Sequence, residues 1–293
     1  AGTVQPEMPP SMAMEECSKD GCSPTSIDMT LDMSWRWLHN QGGYTNCVND
    51  ETGMWQADFC SDPSVCTETC VVEGIADQAY SGTYGVSAED DALRLNYIPG
   101  SRVYVLEGDE YKMFKLKNRE FSVEVDVSSL TCGINAGLYF VEMPANGGSG
   151  EAGARFGAGY CDAQCPRHLK FVDGLANTEG WAKTTAKTPE GDEVEVGPVG
   201  RWGSCCAELD VFEANREATA LTVHPCSIDG AQRCDGSGEC GDPNQKKESI
   251  WCAAEGCGHN PYRLGAHKFY GQGEDFDVDT SKVRPFRGCQ ESK

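Results

Sequence analysis

The feature that most constrains this chain is its cysteine content, which is seventeen cysteines in 293 residues. A reducing cytosol would keep them as reactive thiols, whereas an oxidising compartment would join them into disulfides that staple a loop-rich fold. The sequence therefore predicts a secreted, extracellular protein stabilised by disulfides. Since the number is odd, at least one cysteine has no partner within the chain.

Zinc is the alternative use of these cysteines. Cys205 and Cys206, together with Cys161 and Cys165, offer four thiolates. Structural zinc sites usually separate the two cysteines of each pair by two residues, and neither of these pairs does so. The spacing favours disulfides, with zinc left open as the lesser alternative. We expect no metal and no organic cofactor.

The charge and the hydropathy limit the partners. The net charge of −22 excludes nucleic acid as the main partner, because phosphate binding needs a basic face. It also argues against an anionic membrane surface. No stretch approaches the roughly 20 apolar residues that span a bilayer. The amino-terminal residues lack a basic region followed by an apolar run, as in a secreted chain whose signal peptide has been removed. We expect a monomer.

The local patterns are those of an all-β protein. Short alternating runs occur at 121–127 and 138–141, and glycine-rich turn chemistry at 146–150 separates such runs. Helical periodicity is weak, with a turn or two predicted within 58–70 and 213–221. Residues 184–200 are polar and predict a long surface loop, with an interdomain linker as the alternative. A sandwich or jelly roll of two stacked antiparallel sheets fits this pattern, and the concave face of one sheet would form a cleft for an extended polymer.

The most informative segment is 203–215, which carries three acids. Glu208 and Asp210 lie two residues apart and therefore share one face of a strand. Glu213 lies five residues after Glu208, and strict alternation would place it on the opposite face. One β-bulge near Phe212 would return it to the face of the other two acids. The pattern thus predicts three carboxylates on one side of a bulged strand.

Such a cluster has a chemical and a structural interpretation. Glu208 and Glu213 would be roughly 13 Å apart along the backbone, and side chains that lean together would reach the carboxyl separation of about 5–5.5 Å in retaining glycosidases. One carboxylate would attack the anomeric carbon and the other would protonate the leaving oxygen, while a third acid would push their pKa values apart. The alternative is an edge strand with a solvated acidic face, and the spacing alone does not decide between them.

Longer stretches of the sequence favour the catalytic interpretation of the acid cluster. Starting with Gly-Tyr-Cys-Asp-Ala-Gln-Cys-Pro-Arg at 159–167, they continue in order through 169–171, 179–181, 205–215, 222–226 and 260–265. From about residue 17 to 282 the chain resembles glycoside hydrolase family 7, the fungal-type cellobiohydrolases and endoglucanases. The resemblance implies a concanavalin-like β-jelly-roll sandwich with long loops over a substrate groove. It also implies retaining hydrolysis of the β-1,4 bonds of cellulose without a cofactor, with cellobiose release from chain ends favoured and endo-1,4-β-glucanase action as the alternative.

The resemblance also implies roles for individual residues. Glu208 matches the nucleophile, Glu213 the acid/base and Asp210 the assisting carboxylate, while His224 matches a histidine beside the acid/base. Eight further residues match positions that contact cellulose or cello-oligosaccharides. They are Trp37, Arg102, Asn135, Tyr139, Asp162, Gln164, Lys170 and Arg263. For each of the eight, a packing or surface role is the alternative.

The remaining expectations concern pairing and completeness. The family pattern implies the bridges Cys17–Cys22, Cys47–Cys70, Cys60–Cys66, Cys161–Cys206, Cys165–Cys205, Cys226–Cys252 and Cys234–Cys240. Residues 1–293 are expected to form a single catalytic domain that lacks the carboxy-terminal part of the family pattern, with no linker or cellulose-binding module. Cys132 and Cys257 would then lack their usual partners, and Cys289 is a candidate to pair with one of them. Because of the missing part, a non-catalytic glycan-binding fragment stays an alternative.

Two loops bear on the mode of action. The chain is short between residues 97 and 102, which predicts an open groove entrance. It is long between residues 181 and 201, as in family members that process chain ends.

Overall fold

The computed structural model describes residues 5–96, 101–188, 191–242 and 247–290, with only the backbone described at Lys187 and at 284–290. In chain order the strands are β1 Ser11–Ser18, β2 Gly21–Leu31, β3 Leu38–Asn40, β4 Cys70–Val72, β5 Val86–Glu89, β6 Ala92–Leu95, β7 Val103–Glu107, β8 Glu110–Tyr111, β9 Arg119–Val125, β10 Ala136–Val141, β11 Phe171–Val172, β12 Leu175–Ala176, β13 Ala182–Lys187, β14 Glu193–Val199, β15 Trp202–Cys205, β16 Glu208–Ala214, β17 Thr219–His224, β18 Gln232–Asp235, β19 Cys257–His259, β20 Tyr270–Gly271, β21 Val278–Asp279 and β22 Arg284–Gln290. The helices are α1 Pro63–Thr69, α2 Asp77–Gly82 and α3 Gly236–Glu239. Within the described ranges, none of these helices has the length and apolarity that crossing a bilayer requires.

Two four-stranded sheets organise the fold. One has the strand order β1-β2-β7-β8 and the other the order β10-β16-β17-β19, and all pairs in both are antiparallel. The remaining strands form two-stranded ribbons, of which β20–β21 is parallel. The predicted all-β, mainly antiparallel fold is confirmed. In the second sheet β16 is an inner strand, with β10 on one side and β17 on the other.

Two apolar residues of β16 pack on the side of the sheet away from its acids. Phe212 and Ala214 are buried in a cluster with Val127, and Leu138 of β10 packs against it. A larger cluster joins the region of the first sheet to the residues just before β16, because it contains both Leu106 and Cys206. The acid-bearing strand is therefore fixed from behind by the core and at its start by buried cysteines.

Seven disulfides are present among the described residues, and their pairing is the one that the family resemblance implied. The zinc alternative is wrong, since the four sulfurs it needs are joined in the bridges Cys161–Cys206 and Cys165–Cys205. Cys132 and Cys257 are exposed free thiols. The side chain of Cys289 lies outside the described residues. Since both candidate partners are free, the expected pairing of one of them with Cys289 is absent.

The surface loop expected at 184–200 is instead a β-hairpin, formed by β13 and β14. Pro198 lies within β14 at the register shift between the paired residues Val196 and Val199, and Pro189 falls outside the described residues. Gly191 adopts a φ of 94° at the turn, and Thr188 N donates to Asp192 O at 2.8 Å to close it. The polar residues of this segment therefore form a two-stranded antiparallel ribbon rather than an irregular loop.

The two helical predictions had opposite outcomes. Within 58–70 the helix α1 is present, because Asp62 caps its amino terminus by accepting from Ser64 N and Val65 N, both at 3.0 Å. Within 213–221 the prediction is wrong. Asn215 Oδ1 accepts from the backbone of residues 217 and 218 at 2.8 and 3.1 Å, and this turn directs the chain back as β17.

Candidate active site

The three acids lie on one face of β16 because the strand is bulged. Against β10 the register passes from Tyr139 opposite Asp210 to Leu138 opposite Phe212, which leaves Val211 without an opposite residue. Against β17 it also shifts between Asp210 and Glu213. The bulge predicted near Phe212 is therefore present. It turns Phe212 into the core and returns Glu213 to the face that carries Glu208 and Asp210.

The flanking strands add their own side chains to this face. Val141 and His224 lie opposite Glu208 on the two sides, and Tyr139 and Thr222 lie opposite Asp210. Since opposite residues in a sheet point to the same face, each acid has a different pair of neighbours.

Glu208 is buried, with 8% of its surface exposed. Its Oε2 accepts a hydrogen bond from Ala163 N at 3.2 Å, and the side chain of Gln164 also bonds to it. Burial, followed by the negative charge of Asp210, raises the pKa of Glu208 to about 7, although these donors and His224 oppose the rise. The site thus holds a desolvated carboxyl with donors placed to stabilise its ionised form.

Asp210 and His224 share a proton. His224 Nε2 lies 3.0 Å from Asp210 Oδ2, and His224 Nδ1 lies 3.1 Å from the carbonyl oxygen of Ala253. The carbonyl can only accept, so Nδ1 carries a hydrogen. The second contact then needs one more proton, on Nε2 or on the carboxyl. Burial and the charge of Glu213 raise the pKa of Asp210, while His224 counteracts them.

Glu213 is half-buried and is held by two neutral donors. Asn135 Nδ2 donates to its Oε1 and Thr222 Oγ1 to its Oε2, both at 3.1 Å. Neither donor is charged, and the carboxyl keeps contact with solvent. Glu213 is thus fixed in place and accessible from the groove.

The structure brings most of the predicted site residues to one large cavity. Its lining includes Arg102, Asn135, Tyr139, Asp162, Gln164, Glu208, Asp210, Glu213 and His224. Three of the predicted substrate-binding residues do not line it among the described residues. They are Trp37, Lys170 and Arg263.

Arg102 is already engaged within the protein. Its Nη2 donates to Asp32 Oδ2 at 3.1 Å, and its guanidinium lies 3.4 Å from the ring centre of Tyr160. The hydroxyl of Tyr104 donates to the same oxygen of Asp32. Only 19% of the Arg102 side chain is exposed, and its Nε is buried without a hydrogen-bond partner among the described residues.

Trp37, Lys170 and Arg263 have different surroundings. Trp37 is 36% exposed, and its ring stacks with that of Tyr44, which is 72% exposed, at a centroid distance of 5.8 Å. Lys170 Nζ donates to Ser34 O at 3.3 Å in a small adjacent cavity, and burial lowers the pKa of Lys170. Arg263 is exposed and donates its backbone N–H to Asn260 Oδ1.

Several neighbours of the acids were missed by sequence reasoning. Thr222 could have been found, because it lies two residues before His224 on a strand and therefore faces the same way. Ala163 could not, since a backbone N–H leaves no signal and its contact with Glu208 joins residues separated by 45 positions.

A sequence model of glycosyl hydrolase family 7 matches residues 1–286. The chain belongs to this family. Among solved structures it is similar to a family 7 cellobiohydrolase from Daphnia pulex, at 38% identity and a TM-score of 0.86 over 98% of this chain and 65% of that one. A cellobiohydrolase from Melanocarpus albomyces, solved with cellotetraose, is 37% identical with a TM-score of 0.85, over all of this chain and 68% of that one. The endocellulase EGI of Humicola insolens is 32% identical with a TM-score of 0.81, over all of this chain and 69% of that one.

These matches confirm the predicted jelly-roll sandwich of a family 7 glycosyl hydrolase. They also show that the chain spans less than two thirds of the length of the Daphnia pulex enzyme. Both cellobiohydrolases and endocellulases occur among the similar structures.

Four groupings of described residues have the spacing of metal ligands in this family 7 chain, and three of them contain disulfide-bonded cysteines. The fourth is Glu208, Asp210 and His224, whose nearest ligand atoms lie within 4.8 Å of one another. These side chains already bond to protein donors and to each other, which is the arrangement of an acid–base cluster.

Proposed function

We propose that this chain carries the active site of a retaining glycoside hydrolase that cleaves the β-1,4-glucosidic bonds of cellulose. The observation that carries the proposal is the bulge in β16, which collects three carboxylates on one face of an inner strand. Two of them, Glu208 and Asp210, are buried, and the third, Glu213, is half-buried. Glycoside hydrolysis needs two such carboxyl groups in different environments.

The roles follow from the neighbours of each acid. Glu208 would attack the anomeric carbon, while the bond from that carbon to the leaving sugar breaks and Glu213 gives its proton to the departing oxygen. Water would then attack the same carbon, Glu213 would take a proton from it, and the bond to Glu208 would break. Asp210 and His224 share a proton beside the nucleophile, which lessens the negative charge that Glu208 meets.

The raised pKa of Glu208, taken alone, would favour the acid role for this residue. Two features favour the nucleophile role instead. Ala163 N and the side chain of Gln164 donate to Glu208 and therefore stabilise its carboxylate form. Glu213 accepts from neutral donors and is accessible from the groove, where a protonated carboxyl can reach a leaving oxygen.

Within this reaction class we favour a secreted cellobiohydrolase over an endoglucanase. The segment 181–201 is long, as the resemblance to chain-end-processing members implied, and it forms the hairpin β13–β14. The exposed stack of Trp37 and Tyr44 offers apolar faces to which the C–H groups of a glucose chain would bind. Seven disulfides suit an extracellular enzyme.

The first test is the time course of soluble products from amorphous cellulose, separated by chromatography. Cellobiose as the main product from the earliest times supports chain-end cleavage, whereas a spread of longer oligomers supports the endoglucanase. Proton NMR of the first product reports the anomer and hence retention. Glu208→Gln is the control, and unchanged hydrolysis by this variant would refute the proposal.

A second test assigns the nucleophile. A 2-deoxy-2-fluoro cellobioside with a good leaving group forms a long-lived glycosyl–enzyme ester, and mass spectrometry of the digested protein identifies the labelled residue. We expect the label on Glu208; a label on Glu213 would reverse the two roles. Saturable binding of cello-oligosaccharides with no sugar release and no label would support the glycan-binding fragment.

A further inference from the structure

A tight turn over residues 162–165 lies against Glu208. Asp162 Oδ1 accepts from Gln164 N at 2.8 Å, and Asp162 O accepts from Cys165 N at 3.2 Å. Cys165 has a φ of 52°, which a non-glycine residue adopts only where the surroundings hold it. The Asp162 side chain therefore fixes the shape of this turn.

The turn provides two of the contacts that hold Glu208. Ala163 N donates to Glu208 Oε2 at 3.2 Å, and the Gln164 side chain bonds to the same carboxyl. The Gln164 amide also donates to Ala254 O at 3.3 Å, which limits its rotation. Both donors come from the two residues directly after Asp162, so a change in the turn would move them together.

The turn is also joined to the backbone that leads into β16. The bridges Cys161–Cys206 and Cys165–Cys205 flank it on both sides. Between them, Asp162 N donates to Ser204 O at 3.4 Å and Asp162 O accepts from Cys206 N at 3.1 Å. The donors and the carboxyl they bind are therefore held in one rigid unit.

The carboxyl of Asp162 has little access to a ligand. Only 6% of the surface of Asp162 is exposed. Its Oδ2 accepts from the hydroxyl of Tyr160 at 2.6 Å, and its Oδ1 accepts from Gln164 N. We propose that Asp162 is a positioning residue that acts through Glu208, and that it does not bind the sugar chain. This inference rests on the proposed role of Glu208 as nucleophile.

The charges around Asp162 and Glu208 give the proposal a measurable consequence. Burial and then the charge of Glu208 raise the pKa of Asp162 to about 7, while Tyr160, Arg102 and the backbone of Gln164 oppose the rise. The largest influences on the pKa of Glu208 are burial and the groups Asp210, Ala163, His224 and Gln164, and the charge of Glu208 acts in turn on Asp162. Because coupling is mutual, an ionised Asp162 makes ionisation of Glu208 harder.

Two substitutions separate the effect of the turn's shape from the effect of the Asp162 charge on Glu208. Asp162→Asn keeps an oxygen that can accept from Gln164 N but removes the charge. We expect an unchanged KM for a soluble aryl cellobioside and an acidic limb of kcat/KM that moves to lower pH, since Glu208 ionises more easily. Asp162→Ala also removes the acceptor, and we expect kcat to fall by about 10²-fold because the donors to Glu208 shift.

A sugar-binding role predicts a different pattern, in which both substitutions raise KM, leave kcat unchanged and leave the acidic limb in place. That result would overturn the inference. The matched control is Asp126→Asn, because Asp126 makes the same kind of turn by accepting from Ser128 N at 3.0 Å and is exposed. We expect this control to behave as the unmodified chain.

The Asp162→Asn profile also separates this inference from the proposed function. An inactive Glu208→Gln chain combined with an unshifted Asp162→Asn profile refutes the positioning role alone, whereas an active Glu208→Gln chain refutes both. Circular dichroism of each variant checks folding, and the isosteric Asp162→Asn profile gives the decisive result if Asp162→Ala does not fold.

Discussion

Replacing Glu208 with glutamine should stabilise the protein at neutral and alkaline pH and leave its stability almost unchanged in acid. Glutamine has the shape of a protonated glutamate and can still accept from Ala163 N. Burial and the charge of Asp210 raise the pKa of Glu208 from 4.5 to about 7. The folded state therefore binds this proton more tightly than the unfolded state does.

The sign and the size follow from this difference. A raised pKa contributes stability that is fully present below the unfolded value and is lost as the pH rises through the folded value. Each pKa unit corresponds to about 1.4 kcal/mol, so ionised Glu208 lowers the free energy of unfolding on the order of 3 kcal/mol. At about 2 °C for each kcal/mol in a chain of this size, the variant should melt about 6 °C higher above pH 7.

The measurement is the melting temperature of the unmodified chain and of the Glu208→Gln variant. It is made at about pH 4 and about pH 8, which lie on either side of the unfolded and folded pKa values of Glu208. Glu124→Gln is the control, because Glu124 is exposed on β9 and its replacement should change neither melt. The reasoning would be refuted if Glu208→Gln changed the melting temperature by the same amount at both pH values. A variant less stable than the unmodified chain at the higher pH would also refute it.

Two further predictions concern the bridges and the acid/base. The bridges Cys161–Cys206 and Cys165–Cys205 are nested, so the long loop stays closed when only one of them is removed. Alanine replacement of either bridge should therefore lower the free energy of unfolding in urea by only about 2 kcal/mol. Replacement of both bridges opens the long loop and should lower it by about 6 kcal/mol. Purely additive losses would contradict this account. Glu213→Ala should reduce kcat on cellulose by about 10²–10⁴-fold but reduce it far less on an aryl cellobioside whose leaving group needs no proton, and equal losses on both substrates would argue against the acid role.

The arrangement of the acids could be predicted because its signals are local. The two-residue spacing of Glu208 and Asp210 defines a face, and the odd offset of Glu213 requires a bulge. The bridges were predictable only through the family resemblance, since spacing alone does not fix pairing.

The hairpin β13–β14 was not predictable from the pattern of apolar residues. Lys183 and Glu195 pair across it at 2.6 Å and are both exposed, so the hairpin lacks the contrast between a buried and a solvated face that identifies most strands. The contact of the turn at 162–165 with Glu208 was hidden for another reason. It depends on a backbone donor brought close by tertiary folding, which the residue types do not record.

The alternative of a solvated edge strand is wrong for a physical reason that also explains the site. An edge strand would leave three adjacent acids in water, where they would ionise together and none would differ in role. Here β16 is an inner strand, so Glu208 and Asp210 are buried, Glu213 is half-buried, and each of the three has a partner. The turn supplies Ala163 N to Glu208, and β17 supplies His224 to Asp210 and Thr222 to Glu213. The position of the strand in the sheet, rather than the acids themselves, therefore makes the three carboxyl groups chemically distinct.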